Sequence, residues 1–378
     1  MRVLHVYSGN LYGGIEVALV TMARHRDLCP EMEPHFALCF EGRLSKELEA
    51  TGTSLHQLGN VRASHPRKVW RARRKLKELL KQTRYDVVIC HAPWPQAIFG
   101  PVARNAELPL IFWMHGETDG KHWTERWARL TPPNLAICNS RFTASMLAAI
   151  YPQSRAEVLY YPVVAPTDRS SKEERRAIRA EFETSFDATV IVQVSRMEGL
   201  KGHTPHLEAL GGMKNLPGWV CWLVGGPQRP QEVAYNNELR ALAESLGISE
   251  RVRFIGERSD VTKVLDAADI YCQPNLRPDA FGISFIEAFD AGLPVVTSNL
   301  GGALEVVTDS CGILVPPGDV TALADVLRKL INDEGLRRTL GATGRTRARK
   351  LCDPNTQLRK LYELLSSVMK RDQYLNQG

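Results

Sequence analysis

Two carboxylates stand eight residues apart, Asp279 and Glu287, around the step Phe281-Gly282, and an apolar-periodic run follows the glycine. Ile283, Ile286 and Phe289 recur at helical spacing, which predicts a helix starting near Gly282. Its first turn leaves backbone N–H groups unpaired towards Asp279, at the positive end of the helix dipole. Such a terminus receives anions and polar ligands. With a rise of about 1.5 Å per residue, Glu287 falls on the second turn, on a face near the same opening. One loop and helix can thus offer two carboxylates and several amide donors to one ligand. Leu293-Pro-Val-Val-Thr-Ser reads as the next buried strand. Gly301-Gly302-Ala303-Leu304-Glu305 reads as a close-approach turn into a helix near Glu305.

Further groups follow predicted strands at their carboxyl ends. Arg196-Met-Glu-Gly-Leu-Lys201-Gly202 supplies a planar two-pronged donor and a point charge, the pair suited to a diphosphate. Ser8-Gly9-Asn-Leu-Tyr-Gly13-Gly14 opens the first predicted helix with two glycines that let a ligand approach the backbone. It is not Gly-x-Gly-x-x-Gly, which disfavours a nicotinamide dehydrogenase. His115 follows Leu-Ile-Phe-Trp-Met, where an imidazole is either a packing residue or a ligand contact. Asn139-Ser140 fits a helix cap, and Val224-Gly225-Gly226-Pro227 a glycine-rich turn after a strand. No Asp-x-Asp occurs, so the usual divalent-metal clamp on a nucleotide sugar is missing. Walker-type, nucleophile-elbow and zincin motifs are missing too.

These motifs together resemble the retaining glycosyltransferases of family 4, over roughly residues 1–370. The family's Glu-x7-Glu around Phe-Gly corresponds to Asp279 and Glu287, its Gly-Gly-x-Pro-Glu to 301–305, and its Arg-x4-Lys-Gly to Arg196, Lys201 and Gly202. Two departures stand out, Asp279 for a glutamate and Leu304 for a proline. The resemblance implies an α/β, GT-B fold, with two Rossmann-like domains whose parallel sheets face across a cleft. It implies transfer of a sugar from a nucleoside diphosphate sugar to a hydroxyl acceptor, on a glycan, a lipid-linked carrier or a small molecule. It further implies that Arg196 and Lys201 hold the leaving diphosphate, and that Glu287 holds the ribose. Asp279, with the amides of Phe281, Gly282 and Ile283, would hold the sugar hydroxyls. His115 would lie near the donor sugar, Gly13 and Gly14 would face the diphosphate from the opposite domain, and Gly225 and Gly226 would line the nucleotide pocket. No cofactor and no metal is expected beyond the substrate. Two alternatives stay open: another GT-B enzyme, such as an epimerase or an inverting transferase, and a catalytically silent paralogue that only binds.

The elements that must position these groups alternate along the whole chain. Short apolar runs at 3–7, 35–40, 54–58, 86–90, 110–114, 135–138 and 157–161 are separated by helical patterns. A second set, at 190–195, 219–224, 251–255, 270–273, 294–297 and 312–315, repeats the scheme. That alternation is the mark of parallel, helix-covered sheets, whose ligands bind beyond the carboxyl ends of the strands. A chain of 378 residues suits two domains. The expected division is 1–165 and 185–354, with a C-terminal helix over 355–372 packing back on the first domain. A linker from about 162, followed by a solvated helix, joins them.

The eight cysteines lack Cys-x-x-Cys spacing, and several sit inside strand-like runs, so they read as core hydrophobes. No run reaches the roughly 18 to 20 apolar residues of a membrane span. The N-terminus lacks a signal peptide's apolar block, so the expected location is cytoplasmic. Between Arg62 and Arg84, ten Lys or Arg face one Glu, a local +9 within a chain of formal charge +6. From Pro66 the segment reads as a helix with an apolar stripe of Val69, Leu76, Leu79 and Leu80. Either the stripe docks on the first sheet and the cations are solvated, or residues 66–84 lie on an anionic membrane surface. Pro66 and the isolation of the charge favour peripheral membrane contact. Aromatic residues for base stacking are scarce there, so nucleic acid is not an expected partner.

Overall fold

The computed structural model describes residues 1–10, 12–165 and 169–375, with side chains to residue 371. Residues 166–168 of the expected linker lie outside the described residues. The chain divides into two compact units, Met1–Val164 with the segment from Cys352, and Ala165–Leu351.

The first unit holds β1 (Arg2–Tyr7), β2 (Glu33–Leu38), β3 (Leu55–Gln57), β4 (Val87–His91), β5 (Leu110–Met114), β6 (Leu135–Cys138) and β7 (Ala156–Val158). The second holds β8 (Thr189–Val194), β9 (Trp219–Val224), β10 (Val252–Gly256), β11 (Ile270–Gln273), β12 (Val295–Ser298) and β13 (Gly312–Val315). Their orders are β3-β2-β1-β4-β5-β6-β7 and β10-β9-β8-β11-β12-β13, with every named pairing parallel. Each order reverses once, between β1 and β4 and between β8 and β11. Loops leaving those strand pairs diverge, which opens a crevice at each carboxyl end.

Runs such as Val-Val-Ile-Cys in β4 are apolar throughout because helices cover both sheet faces. In the first unit, Val3, Ile89 and Trp113 pack under helices Gly14–Arg24 and Pro354–Leu375, whose Leu19, Leu358, Leu361 and Leu365 are buried there. Leu4 and Val88 face the other way, onto Leu76 and Phe99 of helices Pro66–Gln82 and Pro93–Asn105. Each fully buried leucine is worth about 1.5–3 kcal/mol of transfer free energy. The eight cysteines are free and buried.

Helix Pro66–Gln82 uses its expected stripe for this docking: Ala72 and Leu76 are buried, with Val69, Leu79 and Leu80 packed beside them. Arg73 Nε donates to the carbonyl of Ile98 at 2.6 Å, fixing this helix to its neighbour. Arg67, Lys68, Arg71, Arg74, Lys75, Lys77 and Lys81 are exposed.

Several helices differ from the sequence expectation, Arg43–Glu49 among them. The helix after the linker, Lys172–Glu181, is not simply solvated: Ile178 and Arg179 are buried, and Arg179 Nη2 bonds Asp269 Oδ2 at 2.8 Å. Charge on its outer face masks that anchor in the sequence. Helices Trp123–Ala128 and Glu334–Cys352 were not anticipated. The first is a single capped turn and a half, and glycines at 335, 341 and 344 interrupt the pattern of the second.

Candidate functional site

The second unit gathers most of the sequence-predicted groups where β8 and β11 end. The loop from Ser195 and the loop from Pro274 touch at Gly202, which has φ 74°. A Cβ at Gly202 would overlap the Pro274 carbonyl oxygen, so only glycine allows both the left-handed turn and the contact. The Leu276 N–H donates to the Leu200 carbonyl at 2.9 Å and closes the seam. Its result is that Lys201 Nζ lies 2.8 Å from Asp279 Oδ2. Behind them runs a buried polar row. Tyr271 OH donates to Gln273 Oε1 at 2.9 Å, and Gln273 Nε2 to Asn275 Oδ1 at 2.9 Å. The amide nitrogens of Gln273 and Asn275 each stand 3.5 Å from Asp279 Oδ2. Asp279 is thus ringed by one cation and two amides while about a quarter of its side chain faces solvent.

Arg196, the other predicted cation, has its Nη1 2.9 Å from Glu198 Oε1. Underneath, Gln193 Nε2 donates to the Lys201 carbonyl at 2.9 Å, and His206 Nδ1 bonds Gln193 Oε1 at 2.8 Å. Ser195 Oγ lies 3.1 Å from His203 Nε2. Burial pushes His203 down to about 4 and His206 down to about 3, so both rings are neutral struts. Sequence reasoning missed Gln193, Glu198, His203 and His206. The only signal was their placement within or just past the strand that carries Arg196.

Gly282 caps helix Ile283–Asp290 with φ 88°, and no side chain caps its first turn. Phe281 is buried, and Phe285 packs where a side chain at 282 would go. Glu287 sits one turn in, half-buried. Burial, and then the charge of Asp290, pushes its carboxyl up to about 7. Gly301 and Gly302 press against the backbone of 279–281, and the Gly302 N–H donates to the Asp279 carbonyl at 2.8 Å. The close approach expected of this pair is therefore to the Asp279 loop itself. Leu304 is exposed. Gly225 packs on the Ser195 carbonyl and Gly226 on Glu257, contacts that account for both glycines as strand-end packing.

In the first unit, Gly13 precedes helix Gly14–Arg24, and its N–H donates to Glu16 Oε2 at 2.9 Å. The other Glu16 oxygen accepts from Tyr7 OH at 2.7 Å. His115 is buried, and both its ring nitrogens are engaged. Nδ1 lies 2.6 Å from Tyr161 OH and Nε2 lies 2.9 Å from His91 Nδ1. His91 Nε2 in turn meets His5 Nδ1 at 2.9 Å, so three imidazoles and a phenol form one string across β1, β4 and β5. Asn139 Nδ2 donates to Tyr161 OH at 3.0 Å and joins the string. Burial pushes His5 and His115 down to about 3 and His91 well below its ordinary range. Ala92, directly after His91, holds φ 77° and ψ 165°, a region otherwise open only to glycine.

The model of glycosyl transferases group 1 matches residues 174–347, and that of glycosyltransferase family 4 matches residues 12–165. A D-inositol 3-phosphate glycosyltransferase of Corynebacterium efficiens is 31% identical over 312 residues, 74% of this chain and 71% of that one. A phosphatidyl-myo-inositol mannosyltransferase of Mycobacterium leprae is 33% identical over 175 residues. That match spans 45% of each chain, under half of the relative's length. Among solved structures, Anabaena HepE in complex with UDP-glucose superimposes with a TM-score of 0.85 at 24% identity, covering 97% of this chain and 100% of that one. The fold is accordingly GT-B.

Proposed function

The chain belongs to family 4 of the glycosyltransferases, and from this premise we propose that it moves a sugar from a nucleoside diphosphate sugar to a hydroxyl acceptor, with retention and without a metal. The observation that carries the reading is the meeting of Lys201 and Asp279, with Arg196 beside them, at the β8/β11 reversal. Departure of a nucleoside diphosphate from an oxocarbenium-like centre builds negative charge on phosphate. Arg196 and Lys201 stand where that charge develops, so they stabilise it once the bound diphosphate has engaged them. Asp279 accepts from sugar hydroxyls, with the amides of Phe281, Gly282 and Ile283 as donors on the same ligand. Glu287 accepts from the ribose. Gly225 packs the β9 turn against the β8 loop and Gly226 packs it against Glu257, and both line the nucleotide pocket. For Gly13, Gly14 and His115 the family resemblance supports a substrate role. His115 must first release Tyr161 or His91 to offer a ring nitrogen.

A thermal-shift panel of UDP, GDP, ADP and their sugars tests the donor assignment, because a ligand at 100 times its dissociation constant adds about 2.7 kcal/mol. The retained anomer in the NMR spectrum of the product, and activity undiminished by EDTA, are the expected outcomes. An inverted anomer, or activity lost to EDTA and restored by manganese, contradicts the mechanism. Donor hydrolysis without acceptor separates a working site from a silent one.

The acceptor side is proposed to lie on an anionic membrane surface. Support comes from the cationic face of helix Pro66–Gln82, where Trp70 is 61% exposed. Helix Pro93–Asn105 packs against it and against helix Trp123–Ala128 on the same sheet face, and there Trp127 and Leu130 are exposed beside Arg126 and Arg129. Exposed tryptophans among cations suit a lipid interface, where each cation adds about 1 kcal/mol. No helix among the described residues is long and apolar enough to cross a membrane. Flotation with anionic liposomes at low salt should carry the wild type up and leave behind a variant with Arg71, Arg74, Lys75 and Lys77 changed to Gln. A wild type that stays at the bottom rejects the membrane assignment.

A further inference from the structure

Both cations that leave β8 are already neutralised within the protein. Lys201 is neutralised by Asp279, which has a proposed role in the sugar site; Arg196 is neutralised by Glu198, which has none. The Glu198 side chain is 14% exposed and that of its partner Arg196 31%. The turn holds it there: the Glu198 N–H donates to the Arg196 carbonyl at 2.8 Å, and the Lys201 N–H to the Glu198 carbonyl at 2.9 Å. The pair is a charge contact of 2.9 Å without an aligned hydrogen bond, so the guanidinium is held loosely. No other partner of this guanidinium is found among the described residues.

A diphosphate that engages Arg196 must take it from Glu198, and the displaced carboxylate then faces like charge. We infer that Glu198 is a resident counter-ion that competes with the diphosphate for Arg196 and so limits how tightly the site holds it. The inference rests on the reading that Arg196 receives the donor's diphosphate. The chemistry gives the competition a direction. Bond cleavage leaves a terminal phosphate with one more negative charge than the same phosphate carries when esterified to the sugar. Glu198 therefore weakens the nucleoside diphosphate product more than the donor, which favours release after transfer.

Titration calorimetry of the full chain with inorganic pyrophosphate tests this, using wild type, Glu198→Gln, Arg196→Gln and the double variant. Giving up the partly buried Arg196–Glu198 pair, at an effective dielectric between surface and water, corresponds to about tenfold in affinity. Glu198→Gln should therefore bind pyrophosphate about tenfold more tightly than wild type. In the Arg196→Gln background the same change should gain less than about twofold, because nothing is left to compete for. Glu198→Gln binding like wild type overturns the inference. So does tightening that persists in the double variant, which reveals a diffuse field in place of competition. Arg196→Gln binding pyrophosphate as well as wild type instead overturns the underlying site assignment. Thermal unfolding of each variant checks the fold, and Glu198→Ala, which also removes the charge, should reproduce the Gln result.

Discussion

The two sheets share one architecture and finish their strands in opposite ways. Along β1 and where β4 and β5 end, His5, His91, His115 and Tyr161 bond one another in a buried, neutral string whose outermost nitrogen, His5 Nε2, has no partner among the described residues. Where β8 and β11 end, Lys201, Asp279, Arg196 and Glu198 remain charged and partly open, held by amides and by loop contacts that only glycine permits. The first arrangement consumes its polar groups in holding the sheet together. The second brings charges to one place without saturating them, and it is there that a ligand has something to bind. Proximity of titratable groups is thus not enough to mark a site; unsaturated proximity is.

The contrast can be broken from either side. The largest effect belongs to Gly202→Ala, which forces a left-handed non-glycine residue into the Pro274 carbonyl and should cost about 3 kcal/mol or more. Gly52→Ala, in the first unit, has a similar φ of 70° but open space around it. It should cost only about 1 kcal/mol. Equal shifts in calorimetric unfolding would mean that the loop seam is not what holds the site.

Next comes His91→Leu, which leaves one buried ring nitrogen unpaired on each of His5 and His115. At about 1–3 kcal/mol per orphaned group, a loss of about 2–6 kcal/mol is expected. The string also sets an acid sensitivity. Unfolded imidazoles take up protons near pH 6.5, whereas folded His5 and His115 do so only near 3. Stability therefore falls as pH drops below about 6.5, and His91→Leu, with one depressed imidazole fewer, should show a shallower slope. An unchanged slope in chemical unfolding at pH 5 and 7 would show that these rings are protonated in the fold.

Smaller still is Ala92→Gly, which relieves a backbone conformation costing about 1–3 kcal/mol and should raise stability by about 1 kcal/mol or more. An unchanged or lowered Tm contradicts this. On the other side, the Glu287 carboxyl is raised to about 7. The folded state holds that proton, so this group's stabilising contribution is present below the usual carboxylate range and lost as pH rises through about 7. Ribose hydroxyls need the ionised form as acceptor. The donor KM should therefore fall about tenfold from pH 6 to 8, and Glu287→Gln should flatten that dependence. A flat wild-type profile would remove Glu287 from the ribose.

Much of this was legible in the chain. Apolar runs bounded by turn residues gave the strands, and the helix at Pro66 began where the proline predicts. Asp279, Lys201 and Arg196 were legible because each follows a strand at its carboxyl end. That Lys201 meets Asp279 was not, since the contact depends on Gly202 closing against Pro274, 72 positions away in sequence. The glycines at 225, 226, 301 and 302 were legible as turns; which backbone each presses against was not. His115 looked isolated because His91 and His5 become its neighbours only through parallel register, in which His5 aligns with Ile89 and His91 with Trp113. Ala92 gives no signal at all, because alanine does not advertise a positive φ.

The central claim is that the charge at the β8/β11 reversal acts on the leaving diphosphate. Its most direct test is kcat for sugar transfer by Arg196→Ala and Lys201→Ala proteins whose thermal unfolding matches wild type. The account predicts that each kcat falls by about 100-fold or more, the size of one lost transition-state donor. A kcat near wild type in either folded variant would contradict it.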